Sequence, residues 1–400
     1  MRVAVLGGDG YLGWPTAMDL AARGHDVWVM DNYLRRNLAR QTRSEALVEA
    51  PNLYDRSERF AALSGRRIRV FIGDCANYAH MERLFTESQP DAVVHYAEQP
   101  SAPYSMIGRD EAELTLRNNL ASTFNVIWAV MQFAPGCHIV KLGTMGEYGT
   151  PNIDIEEGWL EVEHKGRREK FLYPRAAGSL YHTTKICDTD LLWFYVRTYG
   201  LRVTDLMQGP VYGLLTPESQ LHSDLLPNFH YDDIFGTVVN RFIVQAVAGV
   251  PLTVYGKGGQ VRGYLNLLDT LQCVRLALGS PPPAGDLRVL NQFTQTFSVN
   301  ELAAFVVRAA KSIGIEATVE HVSNPRMELE EHYYNPACTG FAELGLQPTL
   351  LSDDVLAAML GLVREHAGAI DRSKIAPRVR WNAHRDAAPS QVAPLAAVKP

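Results

Sequence analysis

The chain has 400 residues, of which 46% are hydrophobic, and a formal net charge of −6. A chain of this length and apolar content can bury a large core, which suggests two domains or one domain with a sizeable lobe. The mildly negative charge provides no basic surface for nucleic acid or for an anionic membrane.

The cysteines and histidines argue against disulfide bonds and a metal site. The five cysteines are scattered without a CxxC pair, and the histidines form no HExxH pattern, so we expect free thiols in a reducing compartment and no metal. No apolar run of the sequence is long enough to span a bilayer. Because the first strand is expected from Arg2, we expect no signal or transit peptide and a cytoplasmic location.

Short apolar strands alternate with helical stretches in the first half of the chain. The first helix is expected at about residues 11–23. Strands are expected at residues 2–6, 27–30, 68–72, 92–96, 139–142 and 203–206. This alternation predicts an α/β fold with a Rossmann-type doubly wound parallel sheet.

Two insertions interrupt this pattern. Residues 34–66 are polar and mostly helical, and residues 157–173 have the alternation and turn of a β-hairpin. Beyond about Gly213 the strand–helix alternation weakens. The weaker pattern predicts a smaller, mixed α/β substrate-binding lobe.

The expected domains follow from these changes of pattern. Residues 1–207, joined by about 235–270, are expected to form a dinucleotide-binding domain, and about 208–234 and 271–381 a substrate-binding lobe. Residues 382–400 are rich in Ala and Pro, so we expect them to be disordered.

A glycine motif lies at the junction of the first strand and helix. Gly7, Gly10 and Gly13 form GxxGxxG, which permits a tight turn and a close approach of backbone N–H groups to a pyrophosphate. Asp31 ends the second strand, where a carboxylate can bind the adenosine ribose, so the pattern favours NAD over NADP. The alternative is a glycine turn without a ligand, which this context makes the weaker interpretation.

Other polar residues extend this candidate cofactor site. Arg35 or Arg36 could reach a phosphate, although an adjacent Arg pair is also typical of a solvated face. Asp74, at the third strand end, could bind adenine or cap a helix. Neighbouring residues assigned to the same site are Asp9, Tyr11, Leu12, Asn32 and Cys75.

A second constellation predicts redox chemistry on a hydroxyl group. Tyr181 and Lys185 are four residues apart in a predicted helix and therefore share one face, and Thr144 ends an apolar strand. Tyr is a weak base at its ordinary pKa of about 10. The Lys185 ammonium and a positive nicotinamide would lower the pKa of Tyr181, which could then remove a hydroxyl proton while Thr144 holds the hydroxyl.

These motifs resemble the extended short-chain dehydrogenase/reductase superfamily. Residues 252–264 resemble its nucleotide-sugar segment. Residues 102–106, 141–158 and 324–326 with 330–335 closely resemble the UDP-sulfoquinovose synthases, and the resemblance extends over roughly 2–381.

The resemblance implies a tightly held NAD⁺ that is regenerated in each turnover, contacted also by Tyr181 and Lys185. UDP-glucose would be oxidised at C4, water would leave across C5 and C6, sulfite would add to the enone, and hydride would return to C4. Superfamily habit further implies a homodimer through Rossmann-domain helices.

The acid/base for elimination differs from that of related 4,6-dehydratases. Those enzymes carry Asp-Glu directly after the Thr, and this chain has Met145 and Gly146. Glu147 and His182 are therefore the candidate acid/base groups. Met145 could be a pocket wall or core, and His182 could be a packing histidine.

The resemblance also implies a set of substrate ligands. Arg262 and Arg326 suit the pyrophosphate, because guanidinium pairs with phosphate oxygens bidentately. The other residues assigned to the substrate are Gln99, Tyr104, Asn119, Gln208 and Tyr264. His95 could lie in the core or in the pocket.

One departure from the family leaves the final step open. The family segment reads Glu-Gln-Arg-Ser, and this chain has Glu98-Gln99-Pro100-Ser101; Met207 also departs from the family's Asn-Gln-Gly pattern. Pro100 cannot provide a cation for a dianionic sulfur nucleophile. The alternatives are a related UDP-sugar dehydratase or 4-epimerase, a paralogue that uses another nucleophile, and a cofactor-binding scaffold.

Overall fold

The computed structural model of the chain describes residues 1–326 and 332–381. Two sequence expectations concern residues outside these ranges: the disorder of 382–400, and the resemblance at Glu330 and Glu331. Within the described ranges, no helix is long and apolar enough to cross a membrane.

Strands and helices alternate along the described chain. The strands are β1 (Arg2–Leu6), β2 (Asp26–Asp31), β3 (Ile68–Ile72), β4 (Ala92–His95), β5 (His138–Thr144), β6 (Trp159–His164), β7 (Arg167–Leu172), β8 (Arg202–Gln208), β9 (Val211–Tyr212), β10 (Leu252–Tyr255), β11 (Val261–Asn266), β12 (Asp286–Gln292), β13 (Gln295–Ser298) and β14 (Val319–Val322). The helices are α1 (Gly13–Ala22), α2 (Leu34–Gln41), α3 (Leu53–Ser64), α4 (Tyr78–Ser88), α5 (Arg109–Phe133), α6 (Leu180–Tyr199), α7 (Val238–Ala248), α8 (Leu267–Gly279), α9 (Val299–Ser312), α10 (Gly340–Glu343) and α11 (Asp353–Glu365).

A seven-stranded parallel sheet forms the centre of the molecule, in the order β12-β8-β5-β4-β1-β2-β3. The strand order reverses between β1 and β4, and such a switch point opens a crevice at the carboxyl ends of the strands. The predicted α/β fold and parallel sheet are confirmed. The strands are apolar because helices cover both faces of the sheet.

Smaller sheets build the rest of the molecule. β10 pairs with β14, β11 lies between β13 and β9, and α7, α9 and α11 pack together over an apolar cluster. The predicted hairpin is confirmed as β6 and β7, with Trp159 opposite Leu172.

The predicted division into two domains stays a prediction. One fact bears on where the chain would be divided: β12 pairs with β8 in the large sheet, although its residues were expected in the substrate lobe. The chain therefore returns to the sheet after residue 271.

Candidate active site

A cleft of about 370 Å³ opens at the switch point of the large sheet. One wall is formed by the loops after β1, β2, β3, β4 and β5, and the other by residues 208–211, 228–237 and Arg326. The cleft is therefore lined by segments from both halves of the sequence.

The glycine loop forms the floor of one end of this cleft. Gly7 has φ +82°, and a Cβ at Gly13 would lie 2.0 Å from the carbonyl oxygen of Gly7. A side chain at Gly13 would therefore force the loop away from α1. Without one, the loop stays close to the start of α1, and this helix N-terminus faces the cleft, as a dinucleotide site requires. Six residues of this loop line the cleft: Gly7, Asp9, Gly10, Tyr11, Leu12 and Gly13.

Asp31 lies at the end of β2, as predicted, and faces the same cleft. Its carboxylate accepts hydrogen bonds from the backbone N–H groups of Asp9, at 2.9 Å, and Tyr33, at 2.7 Å. Burial, together with the nearby Asp9 carboxylate, raises the pKa of Asp31 to about 6. Asp31 is therefore placed and oriented to receive a ribose hydroxyl.

The two adjacent arginines have different environments. Arg36 donates to both carboxylate oxygens of Asp9, at 2.6 and 2.7 Å, and to the Ala50 carbonyl, so it anchors the glycine loop. Arg35 lies over the Phe235 ring at 5.3 Å, and its buried Nε has no hydrogen-bond partner among the described residues. Of the pair, Arg35 has donor capacity to offer a ligand in the cleft.

The rest of the predicted cofactor set also lines the cleft. Asn32, Asp74 and Cys75 lie beside Asp9 along its wall. The Asp74 side chain accepts a hydrogen bond from the Ala76 N–H, whereas Asn77 caps α4. Together, the open glycine loop, Asp31 and the partnerless Arg35 Nε fit a dinucleotide cofactor.

The predicted reacting groups converge on the opposite end of the cleft. Thr144 ends β5, and Tyr181 and Lys185 lie in the first turns of α6, which is capped by Ser179. Thr144 and Tyr181 both line the cleft, and the Lys185 ammonium lies 5.9 Å from the centre of the Tyr181 ring. The helix register thus places the Tyr and Lys on one face.

The electrostatics at Tyr181 differ from the expectation. The pKa of Tyr181 is raised, first by burial and then by the Glu98 carboxylate. We expected Lys185 to lower it, but Lys185 donates to the Leu142 carbonyl at 2.6 Å and is ion-paired with Glu98 at 2.8 Å. The charge of Lys185 is therefore largely compensated, a contact that could not be read from the YxxxK spacing.

Of the six predicted catalytic residues, Thr144 and Tyr181 line the cleft, whereas Met145, Glu147, His182 and Lys185 lie outside its described lining. Glu147 is fully buried; it accepts from the Thr144 N–H and the Thr189 hydroxyl, and lies 3.7 Å from both Lys141 and Arg175. Met145 belongs to the hydrophobic core. The structure thus assigns Met145 to the core and Glu147 to a buried ionic cluster, so neither is placed to contact a substrate.

Some of the predicted substrate residues line the cleft and others lie outside its described lining. Gln99, Gln208 and Arg326 line the cleft, as does Pro100. Tyr104, Asn119 and Tyr264 are buried outside the described cleft lining, against our expectation. Asn119 bonds the backbone of Gln99 and the Thr184 hydroxyl, so it supports the wall instead of facing the ligand.

Arg262, predicted as a substrate ligand, lies outside the described cleft lining, close to His182. It donates to the Val261 carbonyl and contacts His332 Nε2, both at 2.7 Å. His95 is a core residue, with Nε2 3.2 Å from the Thr123 hydroxyl, and Met207 is also in the core.

Comparisons with known proteins agree with this geometry. Residues 3–291 match the NAD dependent epimerase/dehydratase family. The chain is 47% identical over 380 residues to the chloroplastic UDP-sulfoquinovose synthase of Spinacia oleracea, covering 95% of this chain and 79% of that protein. It is 44% identical over 384 residues to the UDP-sulfoquinovose synthase of Sulfolobus acidocaldarius, covering 95% and 98%.

The chain belongs to the UDP-sulfoquinovose synthase family. The fold is shared more widely: the UDP-glucose 4-epimerase of Bifidobacterium longum, solved with NAD⁺ and UDP, superposes with a TM-score of 0.70 at 20% identity, over 92% of this chain and 100% of that one. Membership makes the chain an NAD-dependent enzyme of the extended short-chain dehydrogenase/reductase type.

Within this family, the geometry around Gly146 explains the missing dehydratase carboxylates. A Cβ at Gly146 would lie 2.4 Å from His182 Nε2, so the imidazole occupies the space that a side chain at 146 would fill. His182 Nδ1 lies 3.1 Å from the Ser179 hydroxyl. Burial and the nearby Arg262 and Arg326 lower the pKa of His182 to about 4, so its imidazole is neutral at pH 7.

Sequence reasoning missed the buried ionic cluster beneath the reacting groups. Its members, besides Glu147 and Lys185, are Glu98, Lys141, Arg175, Asp188 and Asp205, and the side chain of each is almost fully buried. The available signal was the presence of Lys141 and Asp205 inside apolar strands, since unpaired charges are rarely buried.

Proposed function

We propose that this enzyme converts UDP-glucose and sulfite to UDP-sulfoquinovose with a tightly held, recycled NAD. The observation that carries the proposal is the meeting of the glycine loop and Asp31 with Thr144 and Tyr181 in one cleft. The 44–47% identity to two UDP-sulfoquinovose synthases supports the choice of reaction.

The redox half would use the groups at the end of β5 and the start of α6. When bound, NAD supplies the acceptor of the C4 hydride and later returns it. The Tyr181 hydroxyl oxygen would take the proton of the sugar C4 hydroxyl, and Thr144 Oγ1 would hold that hydroxyl. Glycine-loop N–H groups, Asp31 and Arg35 would bind the dinucleotide.

Elimination across C5 and C6 would depend on His182. A neutral imidazole can accept a proton at Nε2, and the position of Nε2 over Gly146 corresponds to the missing carboxylate of dehydratases. Its low pKa predicts that this base function persists at pH 7 and is lost only in strong acid, since the imidazole is protonated only below about pH 4.

Sulfite addition is the step that would benefit from a positive charge at position 100, and Pro100 carries none. Arg326 lines the same cleft and could offset the charge of the nucleophile. Purified protein incubated with UDP-glucose and sulfite should yield a sulfonated nucleotide sugar by mass spectrometry. A product that has lost one water and gained no sulfite would instead support a dehydratase, or a paralogue that uses another nucleophile.

We further propose that the enzyme is a homodimer through α5 and α6. Three large apolar side chains on these helices are exposed: Leu116 at 36%, Phe124 at 43% and Phe194 at 47%. Sedimentation of the purified protein tests this, and a monomer at micromolar concentration would contradict it. The expected cytoplasmic location stays a prediction.

A further inference from the structure

Glu98 occupies a position that the proposed reaction does not yet use. It follows β4, lines the cleft, and has a side chain that is 1% exposed. Glu98 Oε2 lies 2.8 Å from Lys185 Nζ, and Oε1 lies 3.7 Å from His95 Nε2. A carboxylate is therefore in direct contact with the Lys185 ammonium at the reacting centre.

Lys185 is held from two sides. Its ammonium donates to the Leu142 carbonyl at 2.6 Å and pairs with Glu98, while the side chain is 3% exposed. A buried ammonium without a counter-charge would be costly, so the pairing stabilises Lys185 in this place. The same pairing reduces the positive field that Lys185 exerts on Tyr181.

The other charged groups near Tyr181 lie on β5, β8 and α6 and in the turn after β5. Lys141 of β5 lies 3.5 Å from Asp205 of β8 and 3.7 Å from Glu147. Asp188 of α6 is fully buried as well, close to the charges of Glu98 and Lys185.

The cluster contains more acids than bases. The acids are Glu98, Glu147, Asp188 and Asp205, and the bases are Lys141, Arg175 and Lys185. Burial and the Glu98 charge raise the pKa of Asp188 well above its ordinary value, and burial also raises the pKa of Glu147. Of the neighbouring carboxylates, Glu98 contributes most to the raised pKa of Tyr181.

We propose that Glu98 is a positioning residue that holds the Lys185 ammonium and, by compensating its charge, determines the pH range in which Tyr181 can accept the substrate proton. The proposal rests on the proposed role of Tyr181. It adds that the Glu98 carboxylate sets the pH range over which Tyr181 can act as the proton acceptor.

The test is Glu98→Gln, which keeps the shape of the side chain and removes its charge. The measured reaction is reduction of the bound nicotinamide on addition of UDP-glucose without sulfite, followed by absorbance across pH. Because loss of a like charge beside a phenol favours the phenolate, the acidic limb of the rate profile should move to lower pH by about one unit or more.

A second readout needs no substrate. Tyrosinate absorbance of the NAD-containing enzyme, minus that of Tyr181→Phe, titrates Tyr181 directly, and Glu98→Gln should shift this titration in the same direction. Glu98→Asp keeps the charge at a longer distance from Lys185, so it should give a smaller shift and provides a test if the Gln variant does not fold.

Glu157→Gln is the matched control. It removes a carboxylate that accepts backbone N–H groups of Asn291 and Gly340, and it should leave both pH curves in place. An acidic limb and a tyrosinate titration that stay unmoved in Glu98→Gln, or move to higher pH, would overturn the proposal. Failure of sulfite addition alone would count only against the proposed overall reaction, because neither readout requires sulfite.

Discussion

At the scale of single residues, the reacting centre is defined by what surrounds Tyr181. Its raised pKa comes from burial and from Glu98, while the Lys185 ammonium is compensated by that same carboxylate. The tyrosine is therefore protonated unless a further positive charge reaches it. A positive nicotinamide ring at this end of the cleft would have that effect.

Replacement of Tyr181 tests its role as the proton acceptor. Tyr181→Phe should reduce turnover by at least about 10²-fold, because a positioned acid/base contributes roughly that much. Bound NAD should remain, since Asp31 and the glycine loop are untouched. Product formation and the NAD content of the purified variant measure both effects, and unchanged turnover would refute the assignment.

Asp31 makes the stability of the protein depend on pH. Its pKa is raised from 3.8 to about 6, so its ionised form is less stable in the folded than in the unfolded chain. This cost is absent below about pH 4 and fully present above about pH 6. Asp31→Asn should therefore raise the melting temperature of the cofactor-free protein at pH 8 and leave it nearly unchanged at pH 4.

The same variant should bind NAD about 10-fold to 100-fold more weakly, since one charged hydrogen bond contributes roughly 1.5–3 kcal/mol. Asp154→Asn is a control for which we expect the opposite change in stability. Hydrogen bonds from Tyr333 and Asn335 lower the pKa of Asp154, so its loss should reduce stability at pH 8. A variant Asp31→Asn that melts lower at pH 8 would contradict the argument.

At the scale of elements, the junction of β1 and α1 shows why the turn at the glycine motif could be predicted from the sequence. The requirement is local: backbone atoms of Gly7 and Gly13 approach each other more closely than any side chain permits. The register of α6 is local in the same sense, and its YxxxK spacing correctly predicted that Tyr181 and Lys185 share a face.

Gly13→Ala tests the junction. The new Cβ would lie 2.0 Å from a backbone oxygen, so either the loop or the helix must move. We expect a loss of roughly 1–3 kcal/mol of stability and loss of NAD from the purified protein. Thermal unfolding and NAD content measure this.

Gly361→Ala in α11 is the matched control, because a Cβ there meets nothing within 4 Å. It should be neutral or stabilise the protein by up to about 1 kcal/mol, since Ala favours a helix. Equal losses in both variants would show that the close approach at Gly13 is not the cause.

At the scale of the whole molecule, residues 371–381 bind the two halves of the chain together. Arg378 donates to Asp233 at 2.9 Å, to the Thr42 carbonyl at 2.7 Å and to the Ser44 hydroxyl at 2.7 Å. Trp381 pairs with the segment of Arg326 and donates to the Gly178 carbonyl. This segment thus positions Arg326 at the cleft.

Arg378→Ala should lower stability by about 1–3 kcal/mol, because the buried Asp233 carboxylate loses its guanidinium partner and keeps only the backbone N–H groups of residues 378 and 379. It should also raise KM for the nucleotide sugar more than it lowers kcat, because Arg326 would lose its support. Arg308→Ala removes an exposed pair with Asp353 and should change little. Similar effects from both variants would refute a special role for the segment.

The sequence by itself determined the parallel sheet, the glycine loop with Asp31, and the helical face of Tyr181 and Lys185. These features depend on periodicity, on backbone sterics and on the register of one helix, all of which are local. The presence of a hydroxyl, a phenol and an ammonium at the reacting centre could likewise be predicted from Thr144, Tyr181 and Lys185.

Only the tertiary structure decided which polar residues face the cleft. Glu147 and Asn119 resemble ligands in sequence yet satisfy buried partners, while Glu98 lies against Lys185. The physical reason is that hydrogen bonding and charge compensation in a core join residues from separate strands and helices. The spacing of these residues along the chain does not predict which of them pair.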